Sequence, residues 1–154
     1  MTTTTAAAGS AASVFRHSIL TLFIAGALSV LVFHQGTVTI LHLLGYANAP
    51  FPFTPTKPMA VPQIWSWVFW GGLWGIIYGA AEKYFPRGPM YWGAAFLFGA
   101  IAPVLVLAFV VFPLRGAPVA WGWNPTRIIV GLIIHGMWGL GTGAFLWWRE
   151  RAMP

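Results

Sequence analysis

The sequence predicts an all-α integral membrane protein with four transmembrane helices, built as two tandem parallel hairpins. Three observations predict it. Hydrophobic residues make up 58% of the 154 positions and charged residues only 6%, where soluble domains carry about 25% charge. Four long apolar segments fill most of the chain, separated by loops rich in proline. The second and fourth segments also share a pattern. Gly72-Leu73-Trp74-Gly75 with Gly79-Ala80 recurs 64 residues later as Gly136-Met137-Trp138-Gly139 with Gly143-Ala144.

The elements follow in order. Residues 1–13 are Thr, Ala, Ser and Gly after Met1; nothing there can bury a core, so a disordered tail is expected. The four-helix domain then runs over residues 14–151. Span one covers about 18–44, behind Arg16 and His17. Ala47-Asn48-Ala49 has the small-residue form of a cleavage site, but the apolar run exceeds a signal-peptide core of about 7–15 residues, so an uncleaved helix is expected. Pro50, Pro52, Pro55, Pro58 and Pro62 make the next segment an extended loop. Span two covers about 63–81, with Pro62 at its start. Pro86-Arg87-Gly88-Pro89 forms a tight turn. Span three covers about 90–112 and contains Pro103, which predicts a kink. Span four covers about 127–148 after a second Pro- and Trp-rich loop. Each span reaches across a hydrocarbon core of about 30 Å.

A hairpin repeat also links spans one and three. Phe23, Gly26 and Ala27 match Phe96, Gly99 and Ala100 at an offset of 73 residues, which requires a loop insertion between repeats. Basic residues set the expected orientation. Arg16, Lys83, Arg87, Arg149 and Arg151 fall on the side of the termini, and Lys57, Arg115 and Arg127 on the other. That bias, five against three, favours a cytoplasmic location for both termini.

Composition excludes several function classes. The net charge of +6 comes from scattered Lys and Arg at span ends rather than a patch, which is the pattern of membrane anchors and excludes nucleic acid as a partner. With no cysteine, disulfides, iron–sulfur clusters and Cys-based zinc sites are excluded. Glu82 and Glu150, the only acids, both sit at span ends, so paired-carboxylate catalysis is not expected. No phosphate loop, His-Glu-x-x-His helix or nucleophile elbow occurs. The chain is therefore read as non-enzymatic, with no metal and no cofactor in the main reading.

Glycine rows carry the packing. Gly71, Gly75 and Gly79 recur every fourth residue in span two, and Gly131, Gly139 and Gly143 follow the same register around His135 in span four. Such rows let a second backbone approach closely in lipid, where packing replaces the hydrophobic drive between helices. Trp65, Trp67, Trp92, Trp121, Trp123, Trp147 and Trp148 lie near span ends as an aromatic belt.

Intramembrane polar residues are costly and are functional candidates by default. Gln35, Thr39 and His42 share one helix face of span one. His34 and His135 fall about 15 Å and 12 Å from the same surface, so they can meet at similar depth. Two facing imidazoles suit a six-coordinate haem b, with Gly131 and Gly139 making room for the ring and Lys57, Arg115 and Arg127 available to propionates.

Phe33-His34-Gln35-Gly36, Leu41-His42, Phe69-Trp70-Gly71-Gly72-Leu73-Trp74-Gly75 and Trp138-Gly139-Leu140-Gly141-Thr142 together resemble a family of small, uncharacterised four-span membrane proteins of proteobacteria. The resemblance covers residues 18–148. It implies the fold and a bacterial membrane setting, and it carries no activity, cofactor or site residue.

The main functional expectation is an accessory or scaffold protein. It packs through its glycine-rich helix faces within a homo-oligomer or beside other membrane subunits, with the lipid bilayer as its constant partner. One alternative is a haem-b- or quinone-binding anchor subunit of an electron-transfer complex, using His34 and His135. Another is a small carrier or channel lined by Gln35, Thr39 and His42.

Overall fold

The computed structural model describes residues 16–152; the tail expected at residues 1–13 lies outside them. Four long helices are present: α1 (Ile19–Leu43), α2 (Gln63–Glu82), α3 (Met90–Leu114) and α4 (Pro125–Ala152). Their bounds fall close to the four expected spans. Of the four, α1, α3 and α4 are long and apolar enough to cross a membrane. Helix α2 has 20 residues, and Trp65, Trp67, Trp70 and Trp74 with Gly71, Gly72, Gly75 and Gly79 lower its hydropathy without adding a charge before Glu82.

Local chemistry sets the helix ends. The Ser18 hydroxyl accepts from Thr21 N at 3.2 Å and caps α1. The loop before α2 folds into a two-stranded hairpin, β1 (Pro55–Thr56) and β2 (Val61–Pro62). It also supplies the carbonyls of Thr54 and Pro52 to Gln63 N and Ile64 N, both at 2.9 Å, satisfying donors that a helix start leaves open. Asn124 Oδ1 accepts from Arg127 N at 3.1 Å at the start of α4.

Close backbone crossings hold the helices in pairs. Gly26 of α1 lies against Gly71 and Gly75 of α2, so near that a Cβ on Gly75 would stand 3.0 Å from Gly26 Cα. Gly99 of α3 lies against Gly139 of α4, and a Cβ on Gly139 would stand 3.0 Å from Gly99 Cα. The rings beside the crossings correspond as well: Phe23 covers Gly72, and Phe96 covers Gly136. Only glycine permits this approach, and in lipid the approach itself supplies the cohesion.

Two further contacts join the pairs. Helices α1 and α4 pack directly, and Trp138 is the centre of that seam. Its Nε1 donates to Gly26 O at 2.9 Å, and its own carbonyl accepts from Ser29 Oγ at 2.6 Å and Thr142 Oγ1 at 3.0 Å. Buried hydroxyls are thereby satisfied by backbone rather than left open. Helices α2 and α3 meet through rings, with Phe98 at 6.5 Å from Trp74 and 5.4 Å from Tyr78, edge to face. Leu22, Ile64, Tyr78 and Leu146 are the largest fully buried apolar side chains of this core.

Three backbone irregularities were not expected from the sequence. Helix α1 widens to a π-turn at Val30–His34, and α3 does so at Leu107–Val111. Pro103 sits inside α3 without ending it, and the change of register follows one turn later. The turn Val119–Trp123 holds Ala120, Trp121 and Gly122 at φ of 47°, 54° and 67°. Left-handed Ala and Trp are costly. Here they aim the Trp121 indole at Gly131, where a Cβ would meet it at 2.9 Å, and at Phe112, 4.8 Å away edge to face.

Candidate functional site

Two polar clusters occupy opposite ends of the bundle. The first gathers both acids of the chain. Glu82 closes α2 and Glu150 lies near the end of α4, and a helix C-terminus carries partial negative charge, which disfavours a carboxylate. Cations and hydroxyls compensate. Arg16 pairs with Glu150 at 3.0 Å. His17 Nε2 lies 3.6 Å from Glu82 Oε2 and 3.5 Å from Glu150 Oε1. Tyr91, in the first turn of α3, donates to Glu82 Oε1 at 2.6 Å, and Tyr78 donates to Tyr91 at 3.2 Å.

All four helix ends on this side therefore meet in one chain of polar groups, from Arg16 at the rim to Tyr78 in the core. Glu82 is 5% exposed and His17 8%. His17 Nε2 and Glu82 Oε2 face each other with no hydrogen-bond partner among the described residues. A buried polar atom left open costs about 1–3 kcal/mol, and the two atoms lie within ion-pair distance of each other at 3.6 Å. The sequence shows Glu82 only at a span end, and no spacing there brings it together with His17 and Tyr91. Its lone position in an apolar run was the available signal.

The second cluster contains the residues that the sequence singled out. His34 and His135 do meet: their rings stand 5.3 Å apart, edge to face. Trp67 packs 5.6 Å from His34. Gln35, fully buried, donates from Nε2 to His34 Nδ1 at 3.2 Å and accepts from Phe51 N at 2.7 Å. The His135 Nδ1–H donates to Gly131 O at 2.8 Å. The π-turn ends at His34, and this extra residue per turn is what sets His34 and Gln35 side by side against α4 and the loop.

The face of Gln35, Thr39 and His42 does not turn inward as a unit. Thr39 Oγ1 donates back to Gln35 O at 2.8 Å, and exposed His42 bonds Ala47 O at 3.0 Å. Gln35 alone is buried; Thr39 is half-buried and His42 exposed as α1 approaches its end. The space expected for a porphyrin is filled: the two imidazoles touch each other, the Trp121 indole covers Gly131, and Gly139 is pressed on α3. This arrangement does not fit a haem between the rings.

The glycine rows pack inside the chain. Gly71, Gly75 and Gly79 face α1, Gly139 faces α3, and Gly143 lies under the hydroxyls of Tyr78 and Tyr91. The partners of these glycines lie within this chain. No family model, curated protein or solved structure matches the chain.

Proposed function

We propose that this chain is a four-span protein of the bacterial inner membrane with a non-enzymatic accessory or scaffold role, built from two tandem parallel hairpins. The observation that carries the reading is the pair of equivalent crossings, Gly26 on Gly75 and Gly99 on Gly139. They bind each hairpin by backbone contact and leave the outward faces to Ile, Leu, Val and Phe side chains such as Ile24, Val32, Leu97, Ile101 and Phe109. Because the glycines are occupied within the chain, a homo-oligomer or another membrane subunit meets these outward faces. The bias of Lys and Arg toward the side of the termini supports a cytoplasmic location for both ends. The motifs around His34 and Trp138 support the likeness to small proteobacterial membrane proteins. Blue-native electrophoresis in mild detergent tests the role: an oligomer or a co-migrating subunit is expected, and a bare monomer with no co-purifying protein overturns it.

A second reading is a small carrier or channel. What favours it is the presence of buried polar clusters at both ends of one bundle, Glu82–Tyr91–Tyr78 and Gln35–His34–His135, with Ser29 and Thr142 between them. Intramembrane polar groups mark ion and proton pathways. Proton flux into liposomes containing the protein, reduced by Glu82→Gln and by His34→Ala, is the expected result. Flux equal to that of empty liposomes removes this reading.

A further inference from the structure

Helix α4 bears an apolar groove of about 430 Å³ on its outward face, lined by Ala144, Phe145, Trp147 and Trp148, with Phe33 of α1 and Trp92 of α3 as its flanks. We propose that this groove binds an acyl chain of an anionic phospholipid whose phosphate is held by Arg149 and Arg151.

The geometry orders the parts along the membrane normal. Phe33 lies deepest, against Gly141 and 5.9 Å from the Phe145 ring. Trp92 and Trp147 meet edge to face at 6.1 Å nearer the helix ends, at the level where indoles mark the boundary between hydrocarbon and headgroups. Arg149 and Arg151 come one turn beyond Phe145 and Trp147, on the same helix faces. Arg151 stacks on Trp147, its guanidinium carbon 4.0 Å from the ring centroid, so it is held at the mouth of the groove.

Charge selects the headgroup. Glu150, which lies between the two arginines in sequence, is engaged by Arg16 and His17, and Glu82 by His17 and Tyr91. Among the described residues neither Arg149 nor Arg151 has a carboxylate within salt-bridge reach. Among the described residues, Arg151 at the mouth and Arg149 one turn beyond Phe145 stand without a paired acid beside a groove whose volume falls in the range of small-molecule sites. A phosphate with no compensating amine answers both features, and guanidinium groups bind it with two parallel hydrogen bonds. The inference rests on the membrane location and is independent of the accessory or carrier readings.

Native mass spectrometry of the full chain in mild detergent tests it, with added phosphatidylglycerol or phosphatidylcholine of the same acyl chains. Retention of phosphatidylglycerol over phosphatidylcholine is expected. Arg149→Gln with Arg151→Gln should weaken retention roughly five-fold per arginine, whereas the two Arg→Lys changes should keep the preference. Ala144→Trp fills the groove with the charges intact and should also release the lipid. An unfolding temperature equal to that of the unaltered chain, measured without added lipid, identifies variants that fold. Equal retention of the two lipids overturns the proposal. So does undiminished phosphatidylglycerol in a folded Ala144→Trp variant. Disulfide-linked dimers through Trp148→Cys, with no lipid retained, would assign the groove to a second copy and overturn it too.

Discussion

Tyr91 donates its hydroxyl to Glu82 Oε1 at 2.6 Å, and this one bond ties the first turn of α3 to the last turn of α2. It gives a buried carboxylate at a helix C-terminus a short, charge-assisted partner. Removing the hydroxyl leaves Glu82 with His17 alone. Tyr91→Phe should therefore destabilise the bundle by about 1–3 kcal/mol, read by thermal unfolding in detergent. In a cycle with Glu82→Gln, the two changes should be non-additive by about 0.5–3 kcal/mol. Strict additivity would mean that the bond contributes nothing.

The glycine crossings make a paired prediction. Gly75→Val and Gly139→Val each drive a side chain into the backbone of the facing helix, and overpacking costs about 1–3 kcal/mol or more. The two should be comparably destabilising, because the crossings are equivalent. Gly93 has no atom within 4 Å of its would-be Cβ, so Gly93→Ala should be neutral or stabilising by about 0.5–1 kcal/mol. Tolerance of valine at Gly75 or Gly139 would mean that the helices are not in backbone contact.

Gln35 is the link between the histidine pair and the loop before α2. Its Oε1 accepts from Phe51 N and its Nε2 donates to His34. Gln35→Leu keeps the size and removes both bonds. The Phe51 amide should then lose protection in hydrogen exchange, and the loop from residue 45 to residue 62 should become more sensitive to protease. Unchanged exchange at Phe51 would place the loop's anchor elsewhere.

Direct contact between His34 and His135 predicts an absorption spectrum without a Soret band, in protein purified from cells supplied with haem. A band that shifts on reduction and disappears in His135→Ala would require the two rings to part and would restore the electron-transfer reading.

The four helices were legible because long apolar runs bounded by Pro, Arg and Trp admit few alternatives, and three of them, α1, α3 and α4, are long and apolar enough to cross a membrane. The depth match of His34 with His135 was legible too, since a rise of about 1.5 Å per residue fixes depth once the helix ends are known. What the glycine rows face was not. A row of small residues announces a close contact without naming its partner, and here Gly75 meets Gly26 rather than another molecule. The Arg16–His17–Glu82–Tyr91–Glu150 cluster was hidden for a different reason. It joins helix ends far apart in sequence, and only the packing of α1 on both α2 and α4 brings His17 to Glu82 and Glu150. The π-turns and the left-handed Trp121 leave no composition signal, because each is imposed by what the side chains must reach.

Whether α2 crosses the membrane decides between four spans and three, and the chain is suited to the test because it has no cysteine. Single cysteines placed by Lys57→Cys, Arg87→Cys, Arg115→Cys and Arg149→Cys would be labelled in intact cells with a membrane-impermeant maleimide. The account predicts that positions 57 and 115 label from outside and that positions 87 and 149 label only after permeabilisation. Labelling of positions 57 and 87 from the same side would contradict it, because α2 would then lie along the membrane rather than across it.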